Sequence, residues 1–324
     1  MTALTYRPAE LKDAELASDL MTASYPPVPQ DPVITRMRWE NPRRGYAYGR
    51  FIAERNATPI ALLTWVHGPW EKVTDGHCEV EVWLDRAALD RGLLIEMFTW
   101  ISDLAEAEGS RLLLAYCGAD EPEMLEALVA LDYRPERTEK VWELDLKTHG
   151  RRLAAEAVEA RKQMTAAGIR STTMAAWSDA EATRKLYELS ERTVQDVPHT
   201  VTIVREAFED FQKRIGTPDR PPDRFWIALD GDRPVAMSYL KYPPVRGDVW
   251  TGYTCTDPGY RGRGLARGIK LQTLAQAVEL GVPFVCTDND SENAPMLHIN
   301  EKLGYRARPG LVEHHKRVTK KDDA

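Results

Sequence analysis

The chain repeats itself in two halves, and this repeat restricts its fold more than any other feature. Short segments of the first half recur in the second half in the same order. The matched pairs that lie 172 positions apart are Gly109 and Gly281, Met124 and Met296, Leu125 and Leu297, Leu131 and Leu303, and Tyr133 and Tyr305. Earlier pairs match at offsets of 166 and 175 positions, a drift that fits loop insertions. We therefore predict two related domains, 1–147 and 168–324, joined by a linker of residues 148–167.

Local patterns predict the same elements in both halves. In the linker, the spacing of Leu153, Ala157, Val158 and Arg161 indicates a helix that begins after Gly150 and ends at Gly168. In the second half, we predict a hairpin turn at Asp230–Arg233, a helix from about Leu265 to Leu280, a short helix over Ala294–Leu303 and a last strand near Leu311–Arg317. Strands that alternate with helices are typical of an α/β fold.

Composition excludes several classes of protein. Of the 324 residues, 43% are hydrophobic and 29% are charged, which is a globular balance rather than a disordered or fibrous one. The net charge of −7 opposes wholesale binding to nucleic acids or anionic membranes. We expect a monomer or homodimer whose partner is a small molecule, with no nucleic acid and no membrane.

The cysteines and the first residues indicate where such a protein works. Cys78, Cys117, Cys255 and Cys286 form no CxxC pair, so neither a zinc site nor a disulfide framework is expected. The adjacent His314 and His315 lack the cysteine or carboxylate company of a metal site, and we expect no metal. The N-terminus has no basic start followed by an apolar run, so we expect a cytoplasmic protein.

A turn rich in glycine and arginine follows a predicted strand in the second half. The strand ends at Pro258, and Gly262 and Gly264 then allow the bare backbone to approach a ligand. A helix begins after Gly264, so its free N–H groups and its positive dipole end face the turn. Positive side chains are expected on the same side: Arg261, Arg263, Arg267 and Lys270. The segment predicts a pyrophosphate site.

Three phosphate-binding patterns can be compared at this turn. A P-loop needs Lys and Ser or Thr after its last glycine, where this chain has Leu265 and Ala266. A dinucleotide-binding turn needs a third glycine where this chain has Arg267. The remaining pattern, Arg261-x-x-Gly264-x-Ala266, resembles motif A of the GCN5-related N-acetyltransferase (GNAT) family. Asn293 and the segment Asn300-Glu-Lys-Leu-Gly-Tyr305 resemble its motif B.

This resemblance implies a fold, an activity and a cofactor. It implies two tandem GNAT domains, each a mixed, mostly antiparallel sheet flanked by helices. It also implies an N-acetyltransferase with acetyl-CoA as co-substrate, whose pantetheine arm lies between two strands that splay apart. The residues implied to bind acetyl-CoA are Thr254, Cys255, Thr256, Arg261, Gly262, Arg263, Gly264, Leu265, Ala266, Arg267, Asn293 and Asn300.

The first half carries a degenerate copy of the turn. Its counterpart, Val82–Leu94, keeps one glycine, Gly92. Leu89 and Asp90 stand where backbone would have to meet phosphate, and Asp90 would repel it. We expect this half to be structural or to form a wall of the substrate cleft. Such a layout is similar to tandem GNAT proteins, the mycothiol synthases among them.

The residues that would perform chemistry are less sharply defined. Candidate general bases are Asp248, before the fourth strand of the second half, and Asp288 or Asp290 after the fifth. Tyr253 could orient a water or act as an acid. Where the family usually has a tyrosine acid, this chain has Asn300. The alternative is therefore a GNAT scaffold that holds CoA or an acyl-CoA without turnover, and a protein that binds RNA through its Gly-Arg turn is a weaker third hypothesis.

The acceptor is expected to be a small-molecule amine of unknown identity. Its pocket is predicted at the domain interface, beside the loop that follows the first helix of the second half. The segments expected nearby are Gln195–Thr200, Gly216–Pro222 and Lys241–Pro244, with Trp226, Tyr239, Tyr242 and Trp250 as aromatic walls.

Overall fold

The elements of the two halves follow one another in the same order. A computed structural model describes residues 4–318. Its strands are β1 Thr5–Pro8, β2 Ala47–Arg55, β3 Thr58–His67, β4 His77–Leu84, β5 Leu112–Gly118, β6 Arg134–Asp145, β7 Ile169–Thr173, β8 Phe225–Asp230, β9 Arg233–Lys241, β10 Val249–Thr256, β11 Phe284–Asp290 and β12 Arg306–Arg317. Its helices are α1 Ala14–Ser24, α2 Pro32–Glu40, α3 Arg91–Ala107, α4 Pro122–Ala130, α5 Leu146–Ala166, α6 Ala182–Val194, α7 Phe208–Ile215, α8 Leu265–Glu279 and α9 Ala294–Leu303.

The repeat found in the sequence is visible in these bounds. β4 and β10, β5 and β11, and β6 and β12 each begin 172 positions apart. The hairpin predicted at Asp230–Arg233 joins β8 to β9, and α9 has the bounds predicted for the short helix. The expectation of a mixed α/β fold is confirmed.

The two halves share one sheet and exchange their last strands. The 12-stranded sheet has the order β1-β2-β3-β4-β5-β12-β6-β11-β10-β9-β8-β7. The last strand of the second half, β12, pairs with β5 of the first half, where Glu313 faces Tyr116. The last strand of the first half, β6, pairs with β11 of the second half, where Glu139 faces Asp290. The two exchanged strands also pair with each other in the middle of the sheet.

The linker helix starts earlier than predicted. α5 is capped by Asp145, whose carboxylate accepts hydrogen bonds from the N–H groups of Lys147 and Thr148. Gly150 is therefore inside the helix. A Cβ atom there would lie 3.1 Å from the side chain of Val278, so glycine allows α5 to pack closely on α8. Gly168 follows the helix with a φ of +77°, in the left-handed region that favours glycine.

Clusters of buried apolar residues pack together in both halves. In the second half, α8 is covered by α5 on one side and by the sheet on the other. For that reason its residues from Gly268 to Leu274 are all buried. Within residues 4–318, no helix is both long enough and apolar enough to cross a bilayer.

Candidate active site

The strands β10 and β11 separate soon after they begin. They pair only at Val249 with Val285 and at Trp250 with Cys286. A bulge between Thr251 and Tyr253 then bends β10 away. The bulged residue is Gly252, whose Cβ would lie 2.0 Å from the ring of Tyr239 if it had one. A gap therefore opens in the sheet, with free strand edges on both sides.

The Gly-Arg turn lies directly after the open end of β10. Gly262 and Gly264 have φ values of +75° and +74°, and a Cβ atom at either position would meet nothing within 4 Å. Gly264 is the N-cap of α8, and no side chain caps this helix. Among the described residues, the backbone N–H groups from Gly262 to Arg267 have no hydrogen-bond acceptor. Free N–H groups at a helix N-terminus beneath open space form an anion cradle.

The arginines of the turn do not all point into this cradle. Arg261 donates to Asp196 at 2.5 Å, and Arg267 donates to Glu156 of α5 at 2.5 Å. Arg263 lies over the ring of Tyr260, 4.8 Å from its centroid. Of the arginines expected beside the cradle, Arg261 and Arg267 are therefore paired with carboxylates of a neighbouring loop and helix.

Lys270 also points away from the cradle, into the protein. Its side chain is 1% exposed, and its Nζ donates a hydrogen bond of 2.8 Å to Oδ1 of Asn300. Asn300 is buried as well, and its Nδ2 donates to Oδ1 of Asn289 on β11 at 2.5 Å. Burial lowers the pKa of Lys270 to about 7, and Asp288 opposes this shift. A lysine that can give up its proton near neutral pH thus lies beside the gap.

A cavity of about 840 Å³ passes through the gap and extends under the first half. Both halves contribute to its walls. From the first half come Tyr46, Tyr48, His67, Glu79, Tyr116 and Glu139, and from the second half come Val194, Thr200, Tyr239, Tyr253, Asp288 and Asn293. Lys270 and Asn289 line it on the side of α8 and α9. The volume is within the range of small-molecule sites.

The floor of the cavity is a polar stripe across the central strands. Tyr116, Glu313 and Arg137 face one another on β5, β12 and β6. Glu139 follows Arg137 by two positions, so its side chain is on the same face of the sheet. Asp290 faces Glu139 from β11, and its carboxylate pairs with Arg137. The exchanged strands therefore place carboxylates from both halves on one surface.

A loop of the second half lies over the cavity and is fastened both to the first half and to β12. Arg137 donates to the backbone oxygen of Pro198 at 2.6 Å, and Thr200 donates to the carboxylate of Glu313. The N–H of Thr202 donates to Asp75 at 2.6 Å. The cavity is consequently complete only when both halves are present.

Only two of the three predicted catalytic residues line the cavity. Asp288 and Tyr253 line the cavity, and the hydroxyl of Tyr253 lies 3.1 Å from that of Thr193. Burial raises the pKa of Tyr253 well above its usual value, so the phenol stays protonated. Asp248 precedes β10 at the paired end of the strand and is not among the residues that line the cavity. Burial raises the pKa of Asp248, and the charge of Arg308 opposes this shift.

The residues predicted to bind acetyl-CoA occupy two connected regions. Thr254 and Asn293 line the cavity, and Asn293 also caps α9 by accepting from the N–H of Met296. Cys255 and Thr256 are buried behind the strand edge, and burial raises the pKa of the Cys255 thiol to about 12. Arg261 to Arg267 form the cradle outside the cavity. Asn300 touches this region through Lys270 and Asn289.

Only some of the residues predicted to form the acceptor pocket line the cavity. Pro198–Thr200 and Tyr239 line the cavity, and it lies between the halves as expected. Among the residues described, Gly216–Pro222, Lys241–Pro244, Trp226, Tyr242 and Trp250 do not line it. Trp226 instead donates to Gln276 of α8 at 2.7 Å, on the other side of the sheet.

The counterpart of the cradle in the first half is closed by its own side chain. Asp90 is the N-cap of α3, and its carboxylate accepts from the N–H of Leu93 at 3.0 Å. In the first half, an N–H group at the helix N-terminus, which would correspond to the free N–H groups of the cradle, is thus already bonded to a carboxylate. β4 and β5 also separate after only three paired positions, so the first half keeps the gap without the cradle.

Sequence reasoning missed Glu79, Tyr116, Glu139 and the inward position of Lys270. A signal existed for Glu79, because His77–Leu84 alternates between polar and apolar residues and so predicts one polar face. What covers that face depends on the strand exchange, which periodicity does not reveal.

The comparisons with known proteins agree with this geometry. Residues 184–305 match the family model described as acetyltransferase (GNAT) family. None of the curated proteins compared with the sequence matches it.

Two solved structures are similar over nearly the whole chain. One is a tandem GNAT protein from the clavulanic acid biosynthesis pathway, with 17% identity and a TM-score of 0.76, covering 99% of this chain and 100% of that one. Another is a GCN5-related N-acetyltransferase from Sphaerobacter thermophilus, with 17% identity and a TM-score of 0.70, covering 99% and 98%. At these identities the likeness concerns the fold, which is that of a tandem GNAT protein.

Proposed function

We propose that the chain is a member of the acetyltransferase (GNAT) family, whose model matches residues 184–305, and that it transfers an acetyl group from acetyl-CoA to an amine of a small molecule, which its tandem GNAT fold supports. The observation that carries this proposal is the continuity of three features. The cavity reaches β10 at Thr251–Thr254, the gap beside β11 leaves the edge of that strand unpaired, and the uncapped turn at Gly262–Arg267 follows the same strand.

The residues present fit acetyl-CoA. The free N–H groups from Gly262 to Arg267 would hold the pyrophosphate, since they have no acceptor within the described chain. The unpaired edges of β10 and β11 would hold the amides of the pantetheine arm. When bound, acetyl-CoA supplies an activated acetyl group as a thioester.

The cavity fits the acceptor. It passes through the gap, so an amine bound on the side of the first half would approach the strand edges from the face opposite α8. Tyr46, Tyr48 and His67 form an aromatic wall from the first half, and Asp288 lies at the gap. The first half would thus contribute to acceptor binding although its own cradle is closed by Asp90.

Two groups are placed to move protons. The attacking amine must be neutral, and Asp288, directly or through a water, can take the proton that the amine loses. On the other side of the gap, Lys270 can give a proton to the departing thiolate, because burial holds its pKa at about 7. The new amide bond forms as the carbon–sulfur bond breaks, so one proton leaves the amine and one reaches the sulfur.

The test is turnover measured in two independent ways. Purified protein is incubated with acetyl-CoA and a panel of primary amines, while thiol release and the acetylated product are both quantified. We expect thiol release that depends on one class of amine and equals product formation. CoA binding measured by calorimetry, combined with no amine-dependent release over the whole panel, would overturn the transferase.

A second candidate is a module that binds CoA or an acyl-CoA without turnover. The observation that favours it is the role of Asn300, a buried amide that accepts from Lys270 and cannot donate a proton to a thiolate. Tight binding of acetyl-CoA with only slow, amine-independent loss of the thioester would support this candidate. Amine-dependent turnover would eliminate it.

A further inference from the structure

We propose that Asn300 and Asn289 are positioning residues, which hold the amino group of Lys270 beside the gap in a form that can both keep and release its proton. The proposal rests on the proposed function, in which Lys270 gives a proton to the departing thiolate. It extends that function to two side chains that act only through the lysine. The way in which the three side chains are bonded to one another supports it.

The three side chains form a chain of hydrogen bonds with one direction. Nζ of Lys270 donates to Oδ1 of Asn300 at 2.8 Å, and Nδ2 of Asn300 donates to Oδ1 of Asn289 at 2.5 Å. An ammonium group can only donate, so the oxygen of the Asn300 amide must face the lysine and its NH2 group must face Asn289. The lysine therefore fixes the orientation of both amides.

The backbone holds both amides in place. Asn300 is 0% exposed and belongs to the last turn of α9, where its backbone oxygen accepts from the N–H groups of Gly304 and Tyr305 at 3.2 and 3.1 Å. Asn289 is on β11, where it faces Lys140 of the exchanged strand β6. On its other side, β11 has already separated from β10 before this position. The amides thus connect Lys270 to the edge of the gap through a backbone that is fixed on both elements.

The groups in contact with the amino group of Lys270 are neutral. Its Nζ donates to Asn300, lies 5.0 Å from the centre of the Tyr305 ring and forms no salt bridge with any residue that the structure describes. Burial raises the pKa of the Tyr305 phenol well above its usual value, so the ring stays uncharged. The charge that acts on Lys270 is that of Asp288 on β11, and burial outweighs it. The lysine is therefore held without being locked into its charged form.

An amide suits a partner that must change its protonation state. The oxygen of an amide accepts a hydrogen bond from an ammonium group and also from the N–H of a neutral amine, so the lysine keeps its place after its proton has moved to sulfur. A carboxylate at the same place would favour the ammonium form and retain the proton. Asn300 and Asn289 thus fix the position of the nitrogen but not its charge.

The first experiment exchanges the partners of the lysine and follows the pH dependence of kcat. It uses the primary amine that is turned over fastest and compares Asn300→Asp, Asn300→Leu and Asn289→Ala with the wild type. Asn300→Asp should raise the pH at which kcat falls by at least about one unit, because a carboxylate at hydrogen-bond distance favours the ammonium form. Asn300→Leu removes the acceptor, so it should lower that pH and reduce kcat several-fold. Asn289→Ala should act in the same direction by a smaller amount, because Asn300 loses the group that orients it.

An exposed asparagine of the first half provides the control for an added negative charge. Asn41→Asp should leave the pH profile where it is in the wild type. A merely structural role of the two amides would lower kcat or stability without moving the profile. Profiles that stay at the wild-type position in all three variants would therefore overturn the proposal.

The second experiment does not depend on turnover. In the full chain with lysines labelled with ¹³C at Cε, the NMR resonance that is missing from Lys270→Met reports the protonation of Lys270. It should titrate near pH 7 in the wild type, at a higher pH in Asn300→Asp and at a lower pH in Asn289→Ala. The substitution in Asn289→Ala is at the edge of the gap, so this variant tests the proposal even if the buried charge of Asn300→Asp prevents folding.

The two experiments separate this proposal from the proposed function. The expected shifts of the Lys270 resonance, combined with no amine-dependent turnover in the wild type, would overturn the transferase and keep the role of the amides in holding the lysine. Amine-dependent turnover with a Lys270 resonance that titrates at the same pH in the wild type and in the variants would keep the transferase and overturn the positioning role.

Discussion

The ammonium group of Lys270 and the side-chain oxygen of Asn300 are joined by a hydrogen bond of 2.8 Å inside the protein. Lys270 is on α8, the helix that follows the anion cradle, and Asn300 is on α9, where the family resemblance implies a tyrosine acid. The amide at position 300 cannot supply a proton. It does, however, hold a lysine whose pKa lies near neutrality at the edge of the gap.

Replacing Lys270 with Met should remove the proton donor while keeping the volume of the side chain. We expect kcat to fall about 100-fold, a typical contribution of general acid catalysis. In the wild type, kcat should decrease as the pH rises through about 7, because only the ammonium form donates, and this decrease should be absent in the variant. The pH profile of kcat is the measurement. Lys302→Met, an exposed residue of α9, should behave like the wild type; a Lys270→Met profile identical to the wild type would contradict the assignment.

Replacing Gly264 with Val should abolish CoA binding. A β-branched side chain would occupy the open space above the N–H groups and would oppose the φ of +74°. Gly281 provides a matched control, since its φ is +75° and a Cβ there also meets nothing within 4 Å. Both variants should lose a similar amount of stability, of the order of 1–2 kcal/mol, but only Gly264→Val should lose protection by CoA in thermal unfolding. Equal CoA protection in the two variants would count against the cradle.

Replacing Glu79 with Gln should stabilise the ligand-free protein in a pH-dependent way. The pKa of Glu79 rises to about 7 in the folded state, where Glu81, Glu313, Glu139 and Arg43 surround it. The folded state therefore prefers the protonated acid, and this preference contributes stability at acidic pH that is lost as the pH rises through about 7. Gln stays neutral, so the variant should match the wild type near pH 4 and exceed it by about 3 kcal/mol at pH 8. Urea unfolding at both pH values measures the difference, and a constant difference would refute the assigned cause.

Each chain should bind one CoA, because the cradle of the first half is closed by Asp90. Calorimetric titration should give a stoichiometry of one. Asp90→Ala should cost about 1 kcal/mol of stability through the lost cap and, by freeing the N–H of Leu93, should add a second, weaker CoA site without changing the affinity of the first. A second CoA in the wild type would show that the cap does not block the first half.

Part of this arrangement could be predicted from the sequence because it depends on local chemistry. The turn at Gly262 and Gly264 has the positive φ values that only glycine adopts readily, and α9 has the bounds predicted for the short helix, Ala294–Leu303. The gap beside β10 was implied by the resemblance, and the pairing of only Val249 and Trp250 with β11 agrees with it.

The remaining features depend on partners far away in the chain. The alternation of residues in β6 and β12 gives each strand a face but does not say which neighbour it pairs with, so the exchange was not predicted. Lys270 was expected to add positive charge beside the cradle. It is buried because its side of α8 faces the sheet and α9, where its Nζ donates to Asn300 and lies 5.0 Å from the centre of the Tyr305 ring. The arginines at 261 and 267 were expected to be free because Asp196 and Glu156 lie outside the motif.

The exchange of β6 and β12 also bears on how such a chain can evolve. After a duplication, a copy that has lost its chemistry is normally free to be trimmed away. Here the second half would lose β6, the strand that borders its β11, and its own β12 would be left without β5. Point mutations can therefore change the turn of the first half, but a deletion of that half would disrupt the sheet of the second. The first half is thus an obligatory part of the architecture of the second.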